Sequence, residues 1–146
     1  INLYHEARSE SMAGIVSVAM VVINRTKSAK FPNNICDVVQ QGPLRESWKT
    51  SRYPDIPDSM RIFYPIRGQC HFSWWCDGKS DTPLEEESYK RMLDISEKLL
   101  EDMFIIDITE GADHYFATWI DVEPEWAKHM TYVGTIDNHK FYKSIN

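Results

Sequence analysis

Ser11-Met12-Ala13-Gly14-Ile15-Val16-Ser17-Val18-Ala19-Met20-Val21-Val22-Ile23-Asn24-Arg25-Thr26-Lys27 carries the clearest periodicity in the sequence. Met12, Ile15, Val16, Ala19, Val22 and Ile23 recur at helical spacing,. Val18, Met20 and Val21 add apolar surface on other faces, which predicts a helix buried nearly all round. Such a helix needs neighbours on several sides, and the flanking sequence supplies candidates. Phe31-Pro32 stops the helix, because proline disfavours a helical residue before it. Asn34 to Gln41 predicts a short helix closed by Gly42-Pro43. Further on, Thr82-Pro83-Leu84-Glu85 reads as a helix start, with Thr82 as N-cap, Pro83 at the first position and Glu85 completing a capping box. Leu84, Met92, Leu93, Ser96, Leu99, Leu100 and Met103 continue one face to about Asp102. Phe104 to Thr109 predicts a short strand, and Tyr132 to Tyr142 a hairpin turning at Asp137-Asn138. Gln41 to Thr82 is different: Pro43, Pro54, Pro57 and Pro65, with Trp48, Trp74 and Trp75, show little periodicity. That stretch is expected to be loop-rich and to form a functional surface. The expected class is helix-dominated α+β.

The chain has 146 residues, one domain's worth, and a single core at that length buries on the order of two-thirds of the unfolded surface,. Apolar residues at 42% and charged residues at 26% are ordinary for a globular protein,. Sixteen basic against 22 acidic residues give a net charge of −6. That balance weighs against a nucleic-acid binder, whose affinity rests on Lys and Arg neutralising phosphates, and argues against steering to an anionic surface. The longest apolar stretch, Ala13 to Ile23, falls short of the roughly 18 residues that span a bilayer. The chain begins at Ile1 without a charged and apolar leader, so it is expected to be a mature or excised domain whose targeting signal is absent. No repeat or low-complexity tract is present. Aromatic residues reach 12%, with five Trp and seven Tyr, more than a small core needs, and rings beyond that need line binding surfaces,. Cys36, Cys70 and Cys76 are odd in number, so at least one is unpaired within the chain and a disulfide scaffold is not expected. A bridge from Cys36 to Cys70 or to Cys76 stays open.

Chemistry concentrates first at Tyr4-His5-Glu6-Ala7-Arg8-Ser9-Glu10. On a continuous helix the two carboxylates share a face. If the helix breaks at Ser9, Glu6 stands at a helix boundary facing a cleft. His5-Glu6 lacks the second histidine of a zinc protease, because Ser9 occupies its place. Cys70-His71 and Cys76 offer soft ligands, but no C-x-x-C pair exists and the spacing fits no usual structural zinc site. We expect no metal and no cofactor. A cysteine nucleophile would need His114, His129 or His139 as base, and nothing local selects one.

Five blocks, in order, resemble the cell-wall hydrolase family of the spore-cortex-lytic enzymes SleB and CwlJ. They are Glu6-Ala7-Arg8-x-Glu10; Val18-Ala19-x-x-Val22-Ile23-Asn24-Arg25; Phe31-Pro32-Asn33-x-Ile35-Cys36-x-Val38-Val39-x-Gln41; Cys70-His71-Phe72-Ser73-Trp74-Trp75-Cys76-Asp77-Gly78; and Gly111-Ala112-x-His114-Tyr115-x-Ala117, with Pro124-x-Trp126-Ala127 and Gly134-x-Ile136-x-x-His139-x-Phe141-Tyr142. The resemblance implies a lysozyme-like, two-lobed domain with a small β element, spanning residues 1–146 as one catalytic unit. It implies cleavage of the peptidoglycan glycan strand after N-acetylmuramic acid, with Glu6 as the catalytic acid. A lytic transglycosylase needs only that glutamate, since the muramic acid's own C6 hydroxyl attacks. A hydrolase needs a second carboxylate, for which Glu10 is the nearest candidate and Asp77 the alternative. Phe72, Ser73, Trp75, His114 and Tyr115 are the implied substrate contacts, with Trp74 as the anchor of its loop. Asn24, Arg25, His139 and Phe141 are assigned to structure. The partner is the glycan strand, met by a monomer that is secreted, spore-borne or phage-delivered. Two other classes compete: a glycan-binding domain that does not cut, and a thiol enzyme using Cys70 or Cys76. Three features depart from the family pattern: Ser9 replaces the usual glycine, Phe116 stands where relatives often carry histidine, and Pro43 to Gly68 is long.

Overall fold

A computed structural model describes residues 1–101 and 106–145. Its helices are α1 (Asn2–Ala7), α2 (Met12–Lys27), α3 (Ile35–Val39), α4 (Trp48–Ser51) and α5 (Glu86–Leu100). Its strands are β1 (Leu44–Glu46), β2 (Phe63–Pro65), β3 (His114–Ala117), β4 (Met130–Ile136) and β5 (His139–Ser144). The class is the expected mixture of helix with a small sheet. The chain divides into two compact units, Ile1–Val38 with Thr82–Asn146, and Val39–Asp81.

In the larger unit α2 is the central element. Every residue from Gly14 to Val22 is buried, as its all-round apolar sequence predicts. Ile15, Val18 and Val21 pack with Leu3, Tyr4 and Ala7 of α1, Met92, Ile95 and Leu99 of α5, and Phe141 of β5. Ser11 caps α2 through its hydroxyl, which accepts from Gly14 N, while its own N–H donates to Asp137 Oδ2 at 2.8 Å. The strands form an antiparallel sheet in the order β3-β5-β4. Strand alternation gives the sheet two different faces. Tyr115 and Ala117 lie opposite Phe141 and His139 on the face toward the helices, whereas His114 and Phe116 lie opposite Tyr142 and Lys140 on the other. The β4–β5 turn is Asp137-Asn138, as the sequence predicts, with Asp137 in the left-handed region at φ 48°.

Two expectations for this unit need correction. α5 begins at Glu86, not at Thr82, and Glu85 makes no capping bond to its own helix. The backbone N–H groups of Leu84 and Glu85 instead donate to the Tyr4 hydroxyl, each at 3.1 Å, so a distant side chain holds the chain where it enters this helix. The buried face is Met92, Ile95 and Leu99; Leu84, Leu93 and Leu100 are exposed. Met103 lies outside the described residues. The strand expected at Phe104 to Thr109 does not form over 106–109, which are loop and turn, and its first two residues lie outside the described ones.

The smaller unit holds a hairpin of β1 and β2, paired Leu44↔Pro65 to Glu46↔Phe63. Ser47 caps α4, and Arg61 ties the intervening loop together through Glu46 at 2.9 Å and the Pro54 carbonyl at 2.8 Å. A disulfide joins Cys70 to Cys76 and leaves Cys36 as the free, exposed cysteine. This corrects the expectation of unbridged thiols and of a bridge through Cys36. It also removes both candidate soft ligands and both candidate nucleophiles, since neither sulfur retains a proton to lose. Ser73–Cys76 is a 3-10 helix rather than an extended loop. Trp74 and Trp75 therefore do not diverge as strand neighbours would; their rings meet edge to face at 6.0 Å.

Candidate active site

A six-residue helix is too short to persist alone, so α1 is held by its surroundings. Leu3, Tyr4 and Ala7 are buried. Arg8 clasps the start of α5 through Glu85 Oε1 at 3.2 Å and returns to the Tyr4 carbonyl at 3.2 Å. The helix ends at Ala7, which leaves Glu6 in its last turn at a helix boundary.

There Glu6 meets β3. The Tyr115 hydroxyl donates to Glu6 Oε2 at 2.7 Å. Arg25, on α2, donates from Nε to the Asp113 carbonyl at 2.7 Å and carries buried positive charge beside this pair. The Asp113 carboxylate in turn accepts from His114 Nδ1 at 2.9 Å and from Ser144 N at 3.0 Å.

Burial dominates the electrostatics. It pushes the Glu6 carboxyl above its ordinary value, against the Tyr115 hydrogen bond and the charges of His5 and Arg25,. The same burial lowers Arg25 and, with the neighbouring Glu6, holds the Tyr115 phenol well above its usual range. Asp113 behaves oppositely: burial pushes it up, but the bonds from His114 and Ser144 outweigh that and keep it ionised below the ordinary value. Glu6 is thus a carboxyl that retains its proton longer than a solvated one, with one oxygen already engaged. That is the property a general acid needs.

Glu10 does not join it. Only 9% exposed, its carboxylate accepts from Asn138 N at 3.3 Å and from Asn138 Nδ2 at 3.1 Å, so it holds the β4–β5 turn. His114 and Tyr115 are adjacent in sequence but face opposite sides of the sheet. The His114 ring packs with Phe31 at 5.8 Å and Trp126 at 5.1 Å, away from the Tyr115–Glu6 pair. Phe72, Ser73 and Trp75 belong to the smaller unit, where Phe72 is 3% exposed, Ser73 is exposed and Trp75 is half-buried. Asp77 accepts from Lys79 N at 2.7 Å in the same unit. Asn24 and Phe141 serve structure as expected: Asn24 Nδ2 donates to Asp107 Oδ2 and the Ala112 carbonyl, and Phe141 is 1% exposed. Sequence reasoning placed Arg25 with them and missed its electrostatic closeness to Glu6. The available signal was spacing: Arg25 continues the Val18, Val21 and Val22 face of α2 at helical intervals,. Among the described residues no group of three His, Cys, Asp or Glu side chains is placed to hold a metal ion, and no helix is long and apolar enough to cross a membrane.

The sequence profile of a family described as Cell Wall Hydrolase matches residues 9–142. The match begins just after Glu6, so that residue's role rests on its surroundings. A comparison with curated proteins gave no match. Among solved structures, the catalytic domain of the Bacillus cereus SleB protein is 25% identical with a TM-score of 0.56, over 97% of this chain and 84% of that one. The catalytic domain of a germination-specific lytic transglycosylase, SleB from Bacillus anthracis, is also 25% identical with a TM-score of 0.58, over 97% of this chain and 88% of that one.

Proposed function

The chain belongs to the cell wall hydrolase family, and from that membership we propose that residues 1–146 act as one catalytic domain that cleaves the glycan strand of bacterial peptidoglycan between N-acetylmuramic acid and N-acetylglucosamine. The observation that carries this reading is the half-buried, desolvated Glu6 carboxyl with Tyr115 bound to Oε2. With Oε2 engaged, Oε1 is the oxygen that carries the proton and presents it to the glycosidic oxygen.

The reaction is a lytic transglycosylation. Glu6 gives its proton to the leaving oxygen of N-acetylglucosamine as the bond from muramic acid C1 breaks. The muramic acid C6 hydroxyl then bonds to C1 and returns its proton to the Glu6 carboxylate. No water is consumed, and the acid is regenerated. Hydrolysis would instead ask for a second carboxylate, and both oxygens of Glu10 lie within hydrogen-bond reach of Asn138. The transglycosylase SleB from Bacillus anthracis supports the same choice. A protein that works on the wall acts outside the reducing cytosol under this reading, and the Cys70–Cys76 disulfide supports it,.

Digestion of purified peptidoglycan followed by mass spectrometry of the released fragments tests this. Anhydro-muramic ends, lighter by one water than reducing ends, are the expected product. Reducing ends would establish a hydrolase, and binding without release a non-cutting glycan module.

A further inference from the structure

Residues 118–123 follow β3, the strand that carries Tyr115, and they are tethered along their length. Thr118 N donates to the Asn138 carbonyl at 2.8 Å, Ile120 N to the Ala117 carbonyl at 3.1 Å, and the Tyr142 hydroxyl to Glu123 at 2.7 Å. Yet this held segment shows Trp119, Ile120 and Val122 to solvent, at 67%, 44% and 80% exposure. Scattered apolar side chains on a surface need no explanation, but three within four residues of a tethered loop point to an interaction site,. Its position says for what. The Trp119 ring lies 6.3 Å from that of His139, and His139 meets Tyr115 edge-on at 5.0 Å. Trp119 is therefore two ring contacts from the phenol that holds Glu6.

Resting on the glycosidase reading above, we propose that Trp119 is a stacking platform for a sugar of the same glycan strand, one or two residues from the bond that Glu6 breaks. Pyranose rings offer an apolar C–H face, and a large ring with an exposed face is the side chain that binds it. The sugar is the neutral N-acetylglucosamine. Asp121 and Glu123 lie on the same loop and repel the negative charge of muramic acid, whether a stem-peptide carboxylate or, where no peptide is attached, the free lactyl carboxylate,. Glu10 contributes indirectly, since it holds Asn138, whose carbonyl receives Thr118.

Chitotetraose, a neutral oligomer of N-acetylglucosamine, is the probe. Its affinity is measured by calorimetry in the Glu6→Gln background, with and without Trp119→Ala or Trp119→Phe, beside the kcat and KM of the Trp119 variants on soluble glycan strands. Trp119→Ala is expected to weaken chitotetraose binding about tenfold, raise KM and leave kcat and melting temperature unchanged, with Trp119→Phe recovering part of the affinity. Unchanged affinity in Trp119→Ala, beside a wild type that cleaves peptidoglycan, overturns the platform alone. Loss of affinity accompanied by an equal loss of thermal stability that Trp119→Phe does not restore also overturns it. A wild type that neither cleaves peptidoglycan nor binds chitotetraose overturns the glycosidase reading and the platform with it.

Discussion

The Tyr115 hydroxyl and Glu6 Oε2, 109 residues apart in sequence, are joined by a hydrogen bond of 2.7 Å. Two effects pull the carboxyl in opposite directions. Burial favours its protonated form, while the phenol's bond favours the anion. The result is a carboxyl oriented by Tyr115 and biased by burial toward its protonated form, and the first predictions separate these effects.

Glu6→Gln keeps the shape and removes the transferable proton. Wall lysis is expected to fall by roughly two to four orders of magnitude with an unchanged circular dichroism spectrum. The substitution also tests burial through stability. A carboxyl whose folded pKa is raised contributes stability that is present below its unfolded pKa and lost as pH rises through the folded value,. Glu6→Gln lacks that loss. It is expected to melt above the wild type at neutral pH, with the gap closing toward pH values below the ordinary carboxyl range. A well-folded variant that still lyses walls removes Glu6 from the mechanism.

Tyr115→Phe deletes the one interaction that Tyr115 makes to lower the carboxyl. The Glu6 pKa is expected to rise further, so the alkaline limb of the kcat profile, where the acid loses its proton, moves to higher pH. Turnover at the optimum is expected to fall because the carboxyl is no longer oriented. A profile that keeps its alkaline limb would mean that the phenol and the carboxyl are not coupled in the working enzyme.

For Glu10→Gln the expected loss is in stability. Asn138 donates to Glu10 from its backbone and its side chain, and a glutamine offers one acceptor where the carboxylate offered two. A charge-assisted hydrogen bond is worth about 1.5–3 kcal/mol, and part of that is expected to disappear from the unfolding free energy. Lysis should remain far above that of Glu6→Gln. Two variants equally inactive and equally folded would instead make Glu10 the second carboxylate of a hydrolase.

Dithiothreitol and EDTA separate the two fates open to Cys70 and Cys76. The disulfide closes a short loop, and its opening is expected to cost about 2 kcal/mol, lowering the melting temperature by several degrees,. EDTA is expected to change neither stability nor lysis. A chelator-sensitive, thiol-insensitive protein would restore a metal at these sulfurs.

What the sequence discloses follows from which forces are local. The burial of α2 and the β4–β5 hairpin were legible because periodicity and turn residues report on the chain's immediate neighbours. The start of α5 was not. The residues that lead into it, Leu84 and Glu85, donate to Tyr4, some 80 residues away, and no local pattern encodes that. Cysteine parity required at least one unpaired thiol but could not say which, because pairing is decided where the chain folds back. At the site, the motif located Glu6 and Tyr115, yet it grouped His114 with them. Strand alternation separates His114 from Tyr115, and that was readable once 114–117 was taken as a strand. Trp119 lay in no motif at all. Its interest comes from exposure on a tethered loop, which only the structure displays.

Gly14 offers a test in which two rules give opposite signs. It lies in the first turn of α2, where glycine costs about 1 kcal/mol against alanine, so Gly14→Ala ought to stabilise by propensity alone,. A Cβ at that position, however, would collide with the Asp137 carboxylate and the Glu10 side chain. Both are committed: Asp137 accepts from Ser11 N at 2.8 Å, and Glu10 holds Asn138. The Asp137 carboxyl is kept below its ordinary value chiefly by the Ser11 side chain, with the Ser11 and Gly14 backbone N–H groups adding to it, so displacing it breaks a charge-assisted cap as well as a packed contact. Glu10 Cβ lies too close to its own backbone to swing aside. The collision is therefore expected to win, and Gly14→Ala should destabilise the protein by about 1–3 kcal/mol, the usual cost of overpacking. Thermal unfolding decides the sign, and a melting temperature equal to or above the wild type would show that the Asp137–Ser11 cap is dispensable to the fold. Because Asn138 also anchors Thr118, the same substitution is expected to weaken chitotetraose binding more than it lowers kcat.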